Sequence, residues 1–503
     1  MKIPFGSLRR RQIVFSVGIL ILCWAVLYLP HLRTSPGWYG DETLTLNASR
    51  DLAQGIPSHF AIWNTFWHPH YPYQPGYSLV NGLAANLAGG DILGSRIFNA
   101  CLALCAALAI FFLGRHSFGS RASLFAALMF LAYGQSIVHF RMGNSHNAAG
   151  LGLLIMTLFL LRRAGPRNDW MAGLGLMLAA GAHPLFVNGA LPAVLCRLKR
   201  PWSWVRLGLP SALYLVVSMA ILYKVFGVWL VEDLEHLKNI HTARGESDGG
   251  GVQAFQNFRQ FISQDWFHLG LLGGLLLCIP LRRYAAPLVG LTVLFLLVRN
   301  RQNLTLFYYQ AIVILPVLCL GWAGLWRYCE TRLRRERSRL RNLVFALGAL
   351  PVLLISVNLP ASLAGRVIPR NQYWVTQSPA EVEAAAAWLN ARTGPEDTLG
   401  GNANIAWLLK ARTIPYMQMI NWYGIPTQGY ENGIARERFR FDASLENAKF
   451  AVIGDIDQRW TFGEPNVIQL AQRMEAGHWP IVWQGEFYQI LANPRFLPAP
   501  EPQ

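Results

Sequence analysis

Long apolar stretches alternate along this chain with short, mostly basic connections. A helix needs about 20 predominantly apolar residues to cross a hydrocarbon core of roughly 30 Å. About eleven stretches read as spans: Ile13–Leu29, Ile92–Leu113, Ser123–Val138, Ala148–Leu161, Met171–Ala182, Leu185–Leu198, Leu207–Phe226, Phe267–Leu281, Ala285–Val298, Leu304–Trp326 and Leu343–Leu359. The pair around His183-Pro184 also admits one long kinked or re-entrant element, because proline breaks the helical ladder. Arg9-Arg10-Arg11 ahead of the first apolar run resembles a secretory signal, but Leu29-Pro30-His31 offers no small-residue cleavage site, so a retained first helix is expected.

Between and beyond the spans the periodicity changes. Leu44, Ala48 and Leu52 recur at helical spacing and predict a surface helix starting at Asp41; Tyr77, Val80, Leu83, Ala84 and Leu87 predict a second one leading into the next span. After Pro360, Ser378-Pro379-Ala380-Glu381 reads as a capping box, Val382, Ala385, Ala386 and Leu389 form an apolar stripe, and Gly394 supplies the stop. Ile405–Ala411 reads as another helix, and Phe450–Ile453, Pro480–Trp483 and Tyr488–Leu491 as strands. The expected fold class is therefore a polytopic α-helical membrane protein with about eleven transmembrane helices over residues 1–360, outer loops at 31–91 and 227–265, and a C-terminal extracytoplasmic α/β domain at 361–503.

Composition sharpens this. The chain is 53% hydrophobic and 14% charged, against about a quarter charged in a typical soluble protein, which argues against a soluble enzyme. The net charge of +17 (44 basic minus 27 acidic residues) has a positional origin. With the N-terminus in the cytoplasm, alternate connections hold 22 Lys and Arg residues against three acids, Asp169, Glu330 and Glu336, the bias expected of cytoplasmic loops. The basic run Arg327–Arg341 then orients the chain and meets anionic lipids, and no nucleic-acid partner is called for. The expected location is a multi-pass plasma (bacterial inner) membrane, with the C-terminal domain outside. All seven cysteines fall in or beside apolar runs without metal or CxxC spacing, so neither a disulfide framework nor a zinc site is indicated.

Loops longer than about 15 residues tend to be functional, which directs attention to the outer face. Its sharpest feature is Trp38-Tyr39-Gly40-Asp41-Glu42. Asp41 can cap a helix and Glu42 complement its dipole; two carboxylates at the mouth of a membrane bundle can equally supply a general base. The aromatic, proline-rich run Ile62–Pro75 suits an interfacial anchor or a stacking surface for sugar rings, and His68 and His70 suit a metal or a phosphate. Arg141, at the mouth of the fourth span, and Arg299 and Arg301, between the ninth and tenth, oppose the charge bias of the outer face. Guanidinium binds phosphate and pyrophosphate oxygens in a bidentate manner, which gives these arginines a reason. Asp455 and Asp457 flank a strand end and read as turn formers.

A retained first helix, Asp41-Glu42 on a surface helix, the Pro75-Gly76-Tyr77 segment running into Gly94-Ser95-Arg96, Arg141 and a soluble tail together resemble the GT-C class of membrane glycosyltransferases. The resemblance is to the family 39 or aminoarabinose-transferase-like branch, which includes protein O-mannosyltransferases. It implies inverting transfer of a sugar from a polyprenyl-phosphate donor to a lipid, glycan or protein acceptor at the outer face. Asp41 would deprotonate the acceptor with Glu42 beside it. Arg141, Arg299, Arg301 and Gln74 would hold the donor phosphate, and His68, His70, Tyr73, Arg96 and His146 are candidate substrate or metal contacts. The sequence requires no cofactor and leaves room for a divalent metal. Where relatives commonly carry a second acid after the fourth-span arginine, this chain has Asn144-Ser145-His146-Asn147; where many have lysine or histidine before paired prolines, it has Tyr73-Gln74-Pro75-Gly76. A transporter or lipid flippase, the alternative, predicts charged residues near mid-span and matching half-repeats, whereas the polar groups concentrate at one face.

Overall fold

The computed structural model describes residues 5–38, 40–54, 75–243, 250–265, 267–299, 312–333, 339–366, 378–427, 433–459 and 461–497. The helices that carry the site are α1 (Phe5–Tyr28), α2 (Gly40–Gln54), α3 (Pro75–Leu87), α4 (Ile92–Phe118), α5 (Ser120–Ala132), α6 (Gly134–Phe140), α7 (Ser145–Leu160) and α8 (Pro166–Ala182). Four described helices are long and apolar enough to cross a membrane, namely α1, α4, Pro201–Lys224 and Ala346–Leu363. A fifth span results if α5 and α6, bent by 63° at Tyr133, act as one. Further apolar helices, among them Phe267–Leu276 and Ala285–Val298, are shorter. At His183 the chain turns extended and Pro184–Gly189 continues as a 3-10 segment, so the sequence on either side of His183-Pro184 forms a broken element.

The distribution of exposure is that of a protein solvated by lipid. On α3, Leu79, Val80, Leu83 and Leu87 face outward while Ser78 and Asn81 are buried. The apolar stripe of the expected surface helix thus points outward, apart from Tyr77 and the half-buried Ala84, because hydrocarbon solvates leucine as well as another helix does and drives polar groups inward. Small residues permit the close approach this packing needs. A Cβ on Gly82 would stand 1.8 Å from the Ser49 carbonyl oxygen of α2, and one on Gly94 would stand 2.2 Å from that of Ala84.

Residues 398–492 contain a five-stranded mixed sheet of β1 (Thr398–Gly400), β2 (Arg412–Ile414), β3 (Ala448–Gly454), β4 (Ile481–Gln484) and β5 (Tyr488–Ala492), in the order β2-β1-β3-β5-β4. β2 and β3 pair parallel with β1, and β5 pairs antiparallel with both β3 and β4. Two details differ from the sequence reading. Ser378 makes no side-chain cap; Glu381 instead accepts the backbone amides of Phe487 and Tyr488 at 2.7 and 2.9 Å, tying helix Pro379–Asn390 to the start of β5. The helix expected over Ile405–Ala411 is one turn, Ala403–Ala406, capped by the Asn402 side chain.

The sheet unit sits on α2. Trp38, Leu46, Ala85 and Ile92 share one hydrophobic cluster with Val382, Leu389, Leu399 and Val452. Trp38 and Trp407 meet edge to face with centroids 5.0 Å apart. Thr43 donates to Asn404 Oδ1 at 2.8 Å, Arg50 to the Trp407 carbonyl at 3.2 Å, and Arg33 bridges Asp91 and Glu383.

Candidate active site

The start of α2 is fixed by a buried ion pair. Arg96, in the first turns of α4, donates to Glu42 from Nε (2.8 Å) and Nη2 (2.6 Å) with both side chains shut off from solvent. Its remaining N–H groups reach the carbonyls of Leu32, Arg33, Pro36 and Gly37, so the connection between α1 and α2 folds around one guanidinium. Glu42 also accepts the Gly143 amide at 2.7 Å. A side chain at 143 would collide with Ser95 Oγ, 2.2 Å from the added Cβ. The two-oxygen match is the strong form of charge-assisted hydrogen bonding.

Beside this pair lies an uncharged network. Asn99 donates to the Ser95 carbonyl (2.9 Å), while its Oδ1 accepts the Asn144 amide (3.2 Å) and Asn147 Nδ2 (3.0 Å). Ser95 donates to Asn81 at 2.7 Å, and Tyr77 pairs with Asn99. Helices α3, α4 and α7 are thereby held in one register, since unsatisfied polar groups would be costly there. The sequence signal for this network was Asn99, three residues from Arg96 inside an apolar span.

Arg141 follows α6. It is fully buried and donates to Leu27 O (3.4 Å), Ser362 Oγ (3.1 Å) and the Pro30 carbonyl, while its Nε has no partner. It forms no ion pair with a carboxylate among the described residues. A small cleft, with room for about one water molecule, lies alongside, lined by Gly134, Ile137, Val138, Asn358, Ala361 and Ser362 among others. His146, in the first turn of α7, meets Asn144 Oδ1 through Nδ1 at 2.6 Å and faces His183 with ring centroids 5.0 Å apart. Among the described residues no three His, Cys, Asp or Glu side chains converge as a metal site would require.

Asp41 is the second residue of α2; its side chain, like that of Arg299 at the end of helix Ala285–Arg299, lies outside what is described. His68, His70, Tyr73, Gln74 and Arg301 lie outside the described residues altogether.

Two acids in or against the sheet unit are buried: Asp457, read from the sequence as a turn former, and Asp233, which the sequence did not single out. Asp457 accepts from Asn402 Nδ2 (2.6 Å), the Gly454 amide (2.9 Å) and Thr461 Oγ1 (3.2 Å). Burial pushes its carboxyl up to about 6 against the pull of these donors. Asp233, on helix Val228–Ala243, pairs at 2.8 Å with Arg438, which also lies over Trp229. Burial pushes this carboxyl up to about 6 as well, opposed by Arg438.

Against solved structures the likeness runs the whole length. ArnT from Cupriavidus metallidurans bound to undecaprenyl phosphate superposes with a TM-score of 0.62 at 16% identity, covering 97% of this chain and 99% of that one. The apo form of the same protein gives a TM-score of 0.57 at 15% identity, covering 98% and 100%. This chain has the GT-C fold. Residues 68–195 match the family model described as dolichyl-phosphate-mannose-protein mannosyltransferase, a segment that includes Arg96, Arg141 and His146. No curated protein sequence matches significantly. The GT-C resemblance read from Asp41-Glu42, Arg96 and Arg141 therefore holds at the level of the fold.

Proposed function

We propose that the protein is an inverting glycosyltransferase that moves a sugar from a polyprenyl-phosphate donor to a lipid, glycan or protein acceptor at the outer face of a bacterial inner membrane. The observation that carries this reading is the segment 141–143. It joins a buried guanidinium, with no carboxylate partner among the described residues, to the amide that holds Glu42, the neighbour of Asp41. A buried cation without a counter-charge is costly and suits an anionic ligand. ArnT, whose fold the chain shares, was crystallised with undecaprenyl phosphate, a ligand of the class proposed.

In the proposed reaction Asp41 accepts the proton of the acceptor hydroxyl while that oxygen attacks the anomeric carbon. The bond from that carbon to the phosphate oxygen breaks on the opposite side, so configuration inverts and polyprenyl phosphate leaves. Arg141, assisted by Arg299, Arg301 and Gln74, stabilises the charge on the departing phosphate. Glu42 and Arg96 hold the first turn of α2 in place and do not exchange protons. Residues 1–360 perform the transfer, and residues 361–503, packed on α2, shape access of the acceptor. The test is incubation of the purified protein with a panel of radiolabelled polyprenyl-phosphate sugars. Transfer from at least one donor, with binding weakened by about 2–5 kcal/mol in Arg141→Ala, is expected; donor affinity unchanged in that variant removes the phosphate role.

A further inference from the structure

At the end of the bundle away from Asp41, three arginines come together with no carboxylate pairing to any of them among the described residues. Arg115 lies in the last turn of α4, Arg162 just after α7 and Arg167 in the first turn of α8, and α7 packs against both α4 and α8. Two of the guanidiniums lie over rings that fix their direction, Arg115 over Phe112 at 5.5 Å and Arg162 over Phe159 at 4.8 Å. Arg162 Nε is buried and has no acceptor among the described residues.

The nearest candidate for a counter-charge is already used. Asp169 accepts Arg197 Nε at 2.9 Å on one oxygen and Ser203 Oγ at 2.7 Å on the other. None of the three clustered arginines pairs with a carboxylate among the described residues. Charges that serve only to orient a chain can stand apart in water, yet these are close enough that Arg167 and Arg115, after burial, both lower the basicity of Arg162. Trp170 and Trp202, both exposed on this end of the molecule, are the side chains favoured at the headgroup level of a bilayer.

We propose that Arg115, Arg162 and Arg167 form a site for the phosphate of an anionic lipid headgroup, on the face of the bundle opposite Asp41. A phosphodiester presents the acceptor oxygens that fixed guanidinium forks match, and a lipid reaches the site laterally from the leaflet. Occupancy joins the ends of α4, α7 and α8; the other end of α4 carries Arg96, and that of α7 carries the Asn147 bonded to Asn99.

The test is binding of spin-labelled phosphatidylglycerol to the full-length protein in phosphatidylcholine nanodiscs. A phosphate held by three guanidiniums loses a charge-assisted hydrogen bond with each one removed, so the triple variant Arg115→Gln, Arg162→Gln, Arg167→Gln should retain this lipid at least about a thousandfold less well. The control Arg121→Gln, Arg163→Gln, which removes exposed arginines from the same end, loses only the general attraction to an anionic surface and should change it by about thirtyfold at most. Should the triple variant fail to insert, Arg→Lys at the same three positions keeps the charge and loses the fork, and weaker binding is again expected. Equal losses in triple variant and control, or undiminished binding by the lysine variant, would overturn the site. Displacement of the lipid by inorganic phosphate at equal concentration would overturn its assignment to a lipid.

Discussion

Glu42 and Asp457 are both carboxylates withdrawn from solvent, one in the membrane bundle and one in the sheet unit packed on it. Glu42 receives a guanidinium fork and a backbone amide. Asp457 receives an asparagine, a backbone amide and a threonine hydroxyl, with no cation. The first arrangement keeps a charge at fixed cost and fails badly if one partner is lost. The second leaves the carboxyl free to take a proton without losing its place. A helix start proposed to hold a catalytic side chain gains from the first; a strand end that only needs closing is served by the second.

The largest expected effect breaks the first arrangement. Glu42→Ala or Arg96→Ala leaves a buried charge alone and should cost about 3–5 kcal/mol, read as a lower unfolding temperature in detergent. The double variant Glu42→Leu, Arg96→Met removes both charges and should recover most of that loss. A double variant no more stable than the singles would show that the pair is not the unit. Gly143→Ala attacks the same corner by sterics, through the contact with Ser95.

The second arrangement is tested by pH. The folded carboxyl of Asp457 lies near 6 against 3.8 for the free group. A raised folded value means the proton is held more tightly in the native state. The stability this confers is complete below the free value and is lost as pH rises through the folded one. Two pH units correspond to about 3 kcal/mol. Asp457→Asn abolishes that dependence, so relative to the native chain it should gain up to this amount between about pH 4 and pH 7. A constant difference across the window would mean that Asp457 titrates normally.

These two acids also differ in how far the sequence discloses them. Glu42 and Arg96 stand out because charges beside or inside an apolar run need a reason, but their pairing spans 54 residues and depends on how α2 and α4 pack. Asp457 looks like an ordinary turn residue, since its burial arises from Asn402 and Thr461 closing over it. Of the expected spans, those that became α1, α4 and the helices over Pro201–Lys224 and Ala346–Leu363 were legible because each is a long run of one character. β1 and β2, three residues each, were not, because strands so short are selected by their parallel neighbour rather than by their own composition. The stripe of α3, legible as that of a surface helix, does face outward at Val80, Leu83 and Leu87.

The smallest effect concerns the seam between the two regions. Thr43→Val removes the bond to Asn404 and should cost about 1 kcal/mol, with acceptor KM moving more than kcat if the sheet unit governs acceptor access. A change confined to kcat would count against that division.

Asp41 decides the central claim. A sugar hydroxyl is a weak nucleophile near neutral pH, and general-base loss typically costs about 10²–10⁴-fold in rate. Asn is nearly as good a helix cap as Asp, so Asp41→Asn should insert and fold. Turnover of a polyprenyl-phosphate sugar by this variant, measured at matched membrane insertion, is expected to fall by that factor with donor binding retained. Near-normal turnover would return Asp41 to the role of a helix cap and contradict the account.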